Sequence, residues 1–320
     1  MTLPQTDITK AADIIRSGGL VAIPTETVYG LAADATNDRA VARIYEAKGR
    51  PSFNPLIVHV SCQQMAEREA VFSRLARQLA LSFWPGPLTM VLPRRTDASV
   101  SLLASAGLDT LAIRMPAHPY AHDLIHAAER PLAAPSANAS GTVSPTTAEH
   151  VADSLGDKVD MILDGGRTEI GLESTILKIE GERATLLRPG GLSIDDIEEL
   201  SGVKIARAAT SGAIEAPGML ASHYAPQTRL TLNIACPSGH DFYLDFGDSQ
   251  FTRRANMLNL SRSGSLREAA ANLFAYLRAA DADCRAKGLK AISVAPIPDR
   301  GLGEAINDRL ARAAAPKQKP

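Results

Sequence analysis

Leu20-Val21-Ala22-Ile23-Pro24-Thr25-Glu26-Thr27-Val28-Tyr29-Gly30 joins a short apolar run to a polar turn. The run reads as a buried strand, and the turn sets hydroxyls directly at its end. Further on, Lys48-Gly49-Arg50-Pro51-Ser52-Phe53-Asn54-Pro55-Leu56 places two cations and an amide just past a helix-like segment. Polar hydroxyls and fixed cations at strand and helix ends are how an α/β protein builds a pocket for small anionic molecules.

Outward from these stretches the chain alternates helix and strand signals. Asp7 is placed to cap a helix carrying Ile8, Ala11, Ala12, Ile14 and Ile15, with Gly18-Gly19 as its stop. A helix is expected over 36–48, with Val41, Ile44 and Tyr45 on one face. Strands are expected at 56–60, 88–92, 111–115, 132–134, 161–163, 174–179 and 184–187, and helices at 71–83 and 119–128. Residues 201–228 are poor in large apolar side chains and read as a partly ordered linker, although His223-Tyr224-Ala225-Pro226 is an odd set for a spacer. From Leu230 strands at 242–246, 257–260 and 291–295 alternate with a helix from Leu266 to about Ala280 and another from Gly303, suggesting a small parallel sheet. The tail from Lys317 reads as disordered.

The 320 residues suffice for two domains, here 1–200, a linker or lid at 201–229, and 230–320. Apolar (45%) and charged (22%) fractions are those of a globular protein, and the net charge of −1 argues against a wholly basic nucleic-acid coat. No apolar run approaches the ~18 residues of a membrane span. Three scattered cysteines form neither a disulfide framework nor a metal-binding spacing, which points to a reduced, cytoplasmic protein. No Walker motif occurs. His118, His122 and His126 stand at helical spacing, but no fourth ligand is evident, so no metal site is assigned.

Arg114 interrupts an apolar strand, so it should meet an anion, either a ligand or a structural Asp or Glu. Pro135-Ser136-Ala137-Asn138-Ala139-Ser140-Gly141 follows a short strand; its small residues let backbone amides approach a ligand closely.

Taken together, Pro24–Gly30, Lys48–Leu56, Leu111–Pro116, Ala134–Ala139 with Ser144, Glu173–Ile176, Arg188–Gly190 and His223–Pro226 resemble the motifs of the YrdC family in its longer form. The resemblance implies a twisted mixed-sheet α/β domain with a large cleft and, beyond the linker, a smaller Rossmann-like domain with a parallel sheet. It implies synthesis of threonylcarbamoyl-AMP from L-threonine, bicarbonate and ATP, with Mg²⁺ riding on the triphosphate and no organic cofactor. The product would pass to the machinery that threonylcarbamoylates an adenosine beside the anticodon of certain tRNAs, with at most a weak tRNA contact by this chain. Residue by residue, the resemblance implies threonine contacts from Thr27, His59, Arg114, Ala134 and Ser174. ATP contacts are implied for Lys48, Arg50, Asn54, Thr110, Ser136, Ser144, Arg188 and Tyr224, with Lys48 and Arg50 stabilising charge. Tyr224 can take part only if the linker folds back as a lid.

Overall fold

The computed structural model describes residues 4–208, 216–218, 222–249, 251 and 255–316; part of the expected linker and the tail from Lys317 lie outside the described residues. In chain order the first unit contains β1 (Pro4–Gln5), α1 (Ile8–Arg16), β2 (Val21–Ile23), β3 (Gly30–Asp34), α2 (Asp38–Lys48), β4 (Ile57–His59), α3 (Gln63–Glu69), α4 (Arg74–Phe83), β5 (Leu88–Pro93) and β6 (Thr110–Arg114). It continues with α5 (Pro119–Ala128), β7 (Leu132–Ala133), α6 (Ala148–Leu155), β8 (Met161–Leu163), β9 (Thr175–Glu180), β10 (Arg183–Arg188), α7 (Ile194–Ser201) and β11 (Ile205–Arg207). The strands form one sheet of eleven in the order β1-β8-β2-β3-β7-β4-β6-β5-β9-β10-β11, mixed in direction.

Strand alternation assigns the two faces. Val58, Met90, Ile113 and Leu177 turn to a core that also holds Val41 and Ile44 of α2 and Leu75 and Leu79 of α4. On the other face, Val21, Ile23 and Met161 pack under Ile15 of α1 and Leu124 of α5. Along β4, β6, β5 and β9 that second face is floored by Ile57, Ala112, Val91 and Ile176, and the apolar residue that joins their cluster from outside the sheet is Ala216 of the connecting segment. The site described below lies beside this stretch.

The caps behave as expected: Asp7 accepts from Lys10 N, and Gly49 closes α2 in a left-handed conformation (φ 59°) that turns the chain toward Arg50. The helix expected from residue 71 starts at Arg74, because the Ser73 hydroxyl caps it. Ile205–Arg207, within the segment read as linker, pairs in parallel with β10 at the sheet edge.

The second unit contains β12 (Leu230–Thr231), β13 (Phe242–Asp245), β14 (Met257–Asn259), α8 (Leu266–Lys287), β15 (Ile292–Val294) and α9 (Leu302–Ala314). Its sheet is parallel throughout, in the order β12-β15-β13-β14. The α8 helix runs past its expected end near Ala280 because no breaker intervenes before Gly288. The two units touch directly: Arg278 of α8 donates to the carbonyls of Val143 and Ser144, and Arg167 donates to Ala271 O and Asn272 Oδ1.

Candidate active site

The turn after β2 is tied by its own hydroxyls. Thr25 Oγ1 donates to Val28 O (2.6 Å) and lies 2.7 Å from Thr27 Oγ1. The resulting loop leads into Gly30, which bridges Ser136, while Leu31 N donates to Pro135 O. The Ala134–Ser136 backbone is thereby brought against the first turn. The register sets His59 opposite Arg114, and Ser174 immediately precedes β9.

A cavity of about 50 Å³ lies where these elements meet. Nine of the residues expected at the site line it: Thr27, Arg50, His59, Arg114, Ala134, Ser136, Ser174, Arg188 and Tyr224. Arg50, Arg114 and Arg188, far apart in the chain, thus share one hollow. Its roof is Pro217, Gly218, His223 and Tyr224 from the connecting segment, held by Ala225 N donating to Gly141 O and by Arg188 Nη1 donating to Pro217 O (3.1 Å). Tyr224 adopts a left-handed backbone (φ 62°), which costs a bulky side chain about 1–2 kcal/mol and persists because its ring is fully packed.

Arg114 is buried and donates Nε to Gly86 O (3.1 Å), Nη1 to Thr27 Oγ1 (2.9 Å) and Nη2 to Glu26 Oε1 (2.5 Å). Of the two anions the sequence allowed, the structural carboxylate is therefore present as Glu26, whose other oxygen accepts from Ala117 N. The guanidinium still lines the cavity. Arg50 donates Nε to Asn54 O and Nη2 to Pro55 O; burial first, and Arg188 nearby, push it down to about 10. Arg188 is lowered in the same sense, by burial and then by Arg309, and donates Nε and Nη2 to Ser174 O. Buried cations held below their ordinary range by desolvation and by a neighbouring cation form a site that an anion would relieve.

Four expected residues do not line the cavity. Lys48 is buried with Nζ donating to the carbonyls of Ser136 and Asn138, so it ties the serine loop to the end of α2. Burial, then Arg50, holds its amine well below the usual lysine range. Asn54 offers its carbonyl to Arg50, and its side-chain Oδ1 is buried without a partner. Ser144 donates to Glu173 Oε1 (2.5 Å). Thr110 shares the face of Arg114 but stands at the opposite end of β6, paired with Pro93.

Three charged residues were not read from the sequence as members of this site. Glu26 could not be ranked there. Glu173 lies in a quoted motif without a role, yet it lines the cavity. Arg309 is fully buried on α9 and donates Nε to Glu173 Oε2 (2.8 Å). A signal for it existed: Ile306, Arg309, Leu310 and Ala313 form one helical stripe, and an arginine inside an apolar stripe demands a partner. Burial alone would raise the Glu173 carboxyl, but Arg309, Arg188 and the Ser144 hydroxyl outweigh it and hold the group ionised.

His59 is lowered to about 3, chiefly by burial and then by Arg114, with its Nδ1 3.3 Å from Ile57 O. A neutral ring donating there from Nδ1 leaves Nε2 as an acceptor. His223 is also lowered to about 3 by burial, with Arg50, Lys48 and Arg188 adding to the effect against Glu173. As pH falls below the ordinary value, these two rings take up protons in the unfolded chain that they refuse in the folded one. Stability is therefore lost toward acid. Chemical denaturation at pH 7 and pH 5 should differ by about 2 kcal/mol per histidine, and replacing either ring by Gln should reduce the difference accordingly.

Among the described residues no group of three or more His, Cys, Asp or Glu could hold a metal, and no helix is long and apolar enough to cross a membrane.

A family profile described as telomere recombination, Sua5/YciO/YrdC, matches residues 13–190, and one described as the threonylcarbamoyl-AMP synthase C-terminal domain matches residues 192–315. The threonylcarbamoyl-AMP synthase of Pyrococcus abyssi is 41% identical over 95% of this chain and 93% of its own length. That of Bacillus subtilis is 41% identical over 96% of this chain and 92% of its own. The crystal structure of P. abyssi Sua5 complexed with L-threonine is similar with a TM-score of 0.86 at 41% identity, covering 96% of this chain and 94% of that one. The chain therefore belongs to the Sua5/YrdC family, in the form that carries the additional C-terminal domain.

Proposed function

We propose that this chain is a threonylcarbamoyl-AMP synthase that joins L-threonine, bicarbonate and ATP and releases pyrophosphate, the product serving threonylcarbamoylation of tRNA. The observation that carries the reading is the convergence of Arg50, Arg114 and Arg188 on one cavity. The names of the full-length relatives, and the threonine bound to one of them, support it.

In this reading Arg114, beside Thr27, takes the threonine carboxylate, with neutral His59 accepting from the amino acid and the Ala134 and Ser174 region enclosing it. Arg50 and Arg188 face the triphosphate, with Ser136 and Tyr224 beside it, while Lys48, Asn54 and Ser144 act by holding the loops that carry these groups. The threonine amine and bicarbonate first give N-carboxy-threonine: the N–C bond forms, and an amine proton leaves with the bicarbonate hydroxyl as water. Its carboxylate oxygen then attacks the α-phosphorus, and the bond to pyrophosphate breaks. Alignment and charge neutralisation carry such a transfer, with no protein nucleophile. Mg²⁺ would accompany the triphosphate: the cavity's own carboxylate, Glu173, already accepts from Ser144 and Arg309, so phosphate and water oxygens are its natural ligands. A cavity of about 50 Å³ is far too small for a nucleotide, so the roof at 217–218 and 223–224 opens to admit ATP and closes to exclude water.

The test is pyrophosphate release from ATP. Release should require both threonine and bicarbonate, and serine should be poorer by about 10- to 200-fold, the discrimination one methyl can give. Pyrophosphate release that is indifferent to threonine would refute the reading.

A further inference from the structure

We infer that Arg309, supplied by the C-terminal domain, is a positioning residue of the nucleotide subsite: it occupies Glu173 and thereby leaves Arg188 to the phosphates. The inference rests on the reaction proposed above and assigns part of that site to the second domain.

Three contacts place Arg309 behind the cavity wall. Its Nε donates to Glu173 Oε2, its Nη1 pairs with Asp308 Oδ2 (2.6 Å), and its guanidinium lies 5.3 Å from the centre of the Tyr224 ring. Glu173 and Tyr224 both line the cavity, and Tyr224 stacks on Phe274 of α8. One residue of α9 therefore touches both a wall and the roof of the hollow. Its Nη2 is buried without a partner, which is costly for a contact that only docks two domains.

Among the described residues, Glu173 is the one carboxylate lining a cavity read here as a site for a polyanion. Left to itself it would repel phosphate, or pair with the cavity's own cations. Arg188 is the cation placed to respond, since it feels the Glu173 charge and is bonded to the adjoining Ser174 carbonyl. With Arg309 and Ser144 each donating to one carboxylate oxygen, both oxygens of Glu173 are engaged. Among the described residues, the hydrogen-bond partners of Arg188 are neutral oxygens, including the roof carbonyl of Pro217, and these are exchangeable for phosphate oxygens.

The test is ATP binding by titration calorimetry, with pyrophosphate-release kinetics alongside, on the full chain. Arg309→Met should weaken ATP binding about 10- to 100-fold, in the range of indirect couplings, while the threonine KM moves less than about 3-fold. Arg309→Lys should restore part of the loss. Because Arg309→Met leaves a buried carboxylate uncompensated and can impair folding, the double variant Arg309→Met/Glu173→Gln is decisive. It removes both charges and should recover most of the ATP affinity that Arg309→Met loses. A folded Arg309→Met chain with normal ATP affinity, equal losses for ATP and threonine, or a double variant as weak as Arg309→Met would each overturn the inference. If the unaltered chain itself failed to bind ATP, the proposed reaction would fall and this inference with it. Normal binding with an indifferent Arg309 would overturn this inference alone.

Discussion

Arg114→Gln is expected to reduce threonine-dependent turnover by roughly 30- to 5000-fold, the equivalent of about 2–5 kcal/mol for truncating one member of a buried charged pair. The loss should appear mainly in the threonine KM, with the ATP KM little changed, because Arg114 stands on β6 beside His59 and Thr27, and in the proposed reading Arg50 and Arg188 are the cations that face the triphosphate. The same substitution strands Glu26, so it should also lower stability by about 3–5 kcal/mol. Stability and catalysis can be separated by adding Glu26→Gln. The double variant carries no buried charge at either position and should regain much of the stability measured in urea. It should regain almost none of the turnover, since no cation remains for the amino-acid carboxylate. Recovery of turnover along with stability would mean that Arg114 is a structural partner of Glu26 and nothing more.

What the sequence exposed and what it concealed divide along a physical line. Features with a local period or a local cap were legible. Asp7, expected as a cap, accepts from Lys10 three positions on, and the apolar stripe of α2 repeats every turn. The motif-bearing turns were legible through the family resemblance, and nine of the residues that it implies for the site line one cavity. Features that depend on distant partners left half a trace: an arginine in an apolar setting demands an anion but does not name it. Glu26 and Arg114 are 88 positions apart, and Glu173 and Arg309 are 136 apart. Nothing in either neighbourhood announces the other. Lys48 and Ser144 show the converse failure. Their residue types suit a phosphate, but folding turns the amine to two carbonyls and the hydroxyl to a carboxylate. The strand Gly30–Asp34 went unread because Gly30-Leu31-Ala32-Ala33 is short, uniformly small or apolar, and buried on both faces, so it lacks the alternation that marks a half-exposed strand.

A large effect from a substitution that removes no functional group is expected at Gly190. A Cβ there would stand 2.4 Å from the Ser174 carbonyl carbon, 2.4 Å from Thr175 N and 2.5 Å from Glu173 O. All three are backbone atoms, and Gly191 N donates to that same Glu173 oxygen at 2.8 Å, so no side chain can rotate away to make room. Gly190→Ala must therefore push the start of β9 off the segment after β10, and with it Ser174 and Glu173, which form one wall of the cavity. Overpacking of this kind costs about 3 kcal/mol. Turnover of the folded fraction should also fall, with both substrates affected, because Ser174 stands with the threonine contacts and its carbonyl holds Arg188. Gly181 provides the comparison. It occupies the turn between β9 and β10 at φ 59°, with nothing within 4 Å of a built Cβ, so Gly181→Ala should cost only the left-handed backbone penalty of about 1–2 kcal/mol and leave turnover intact. Thermal unfolding and steady-state kinetics on the two variants decide the matter: equal kinetics would show that the contact at Gly190 does not set the position of the wall.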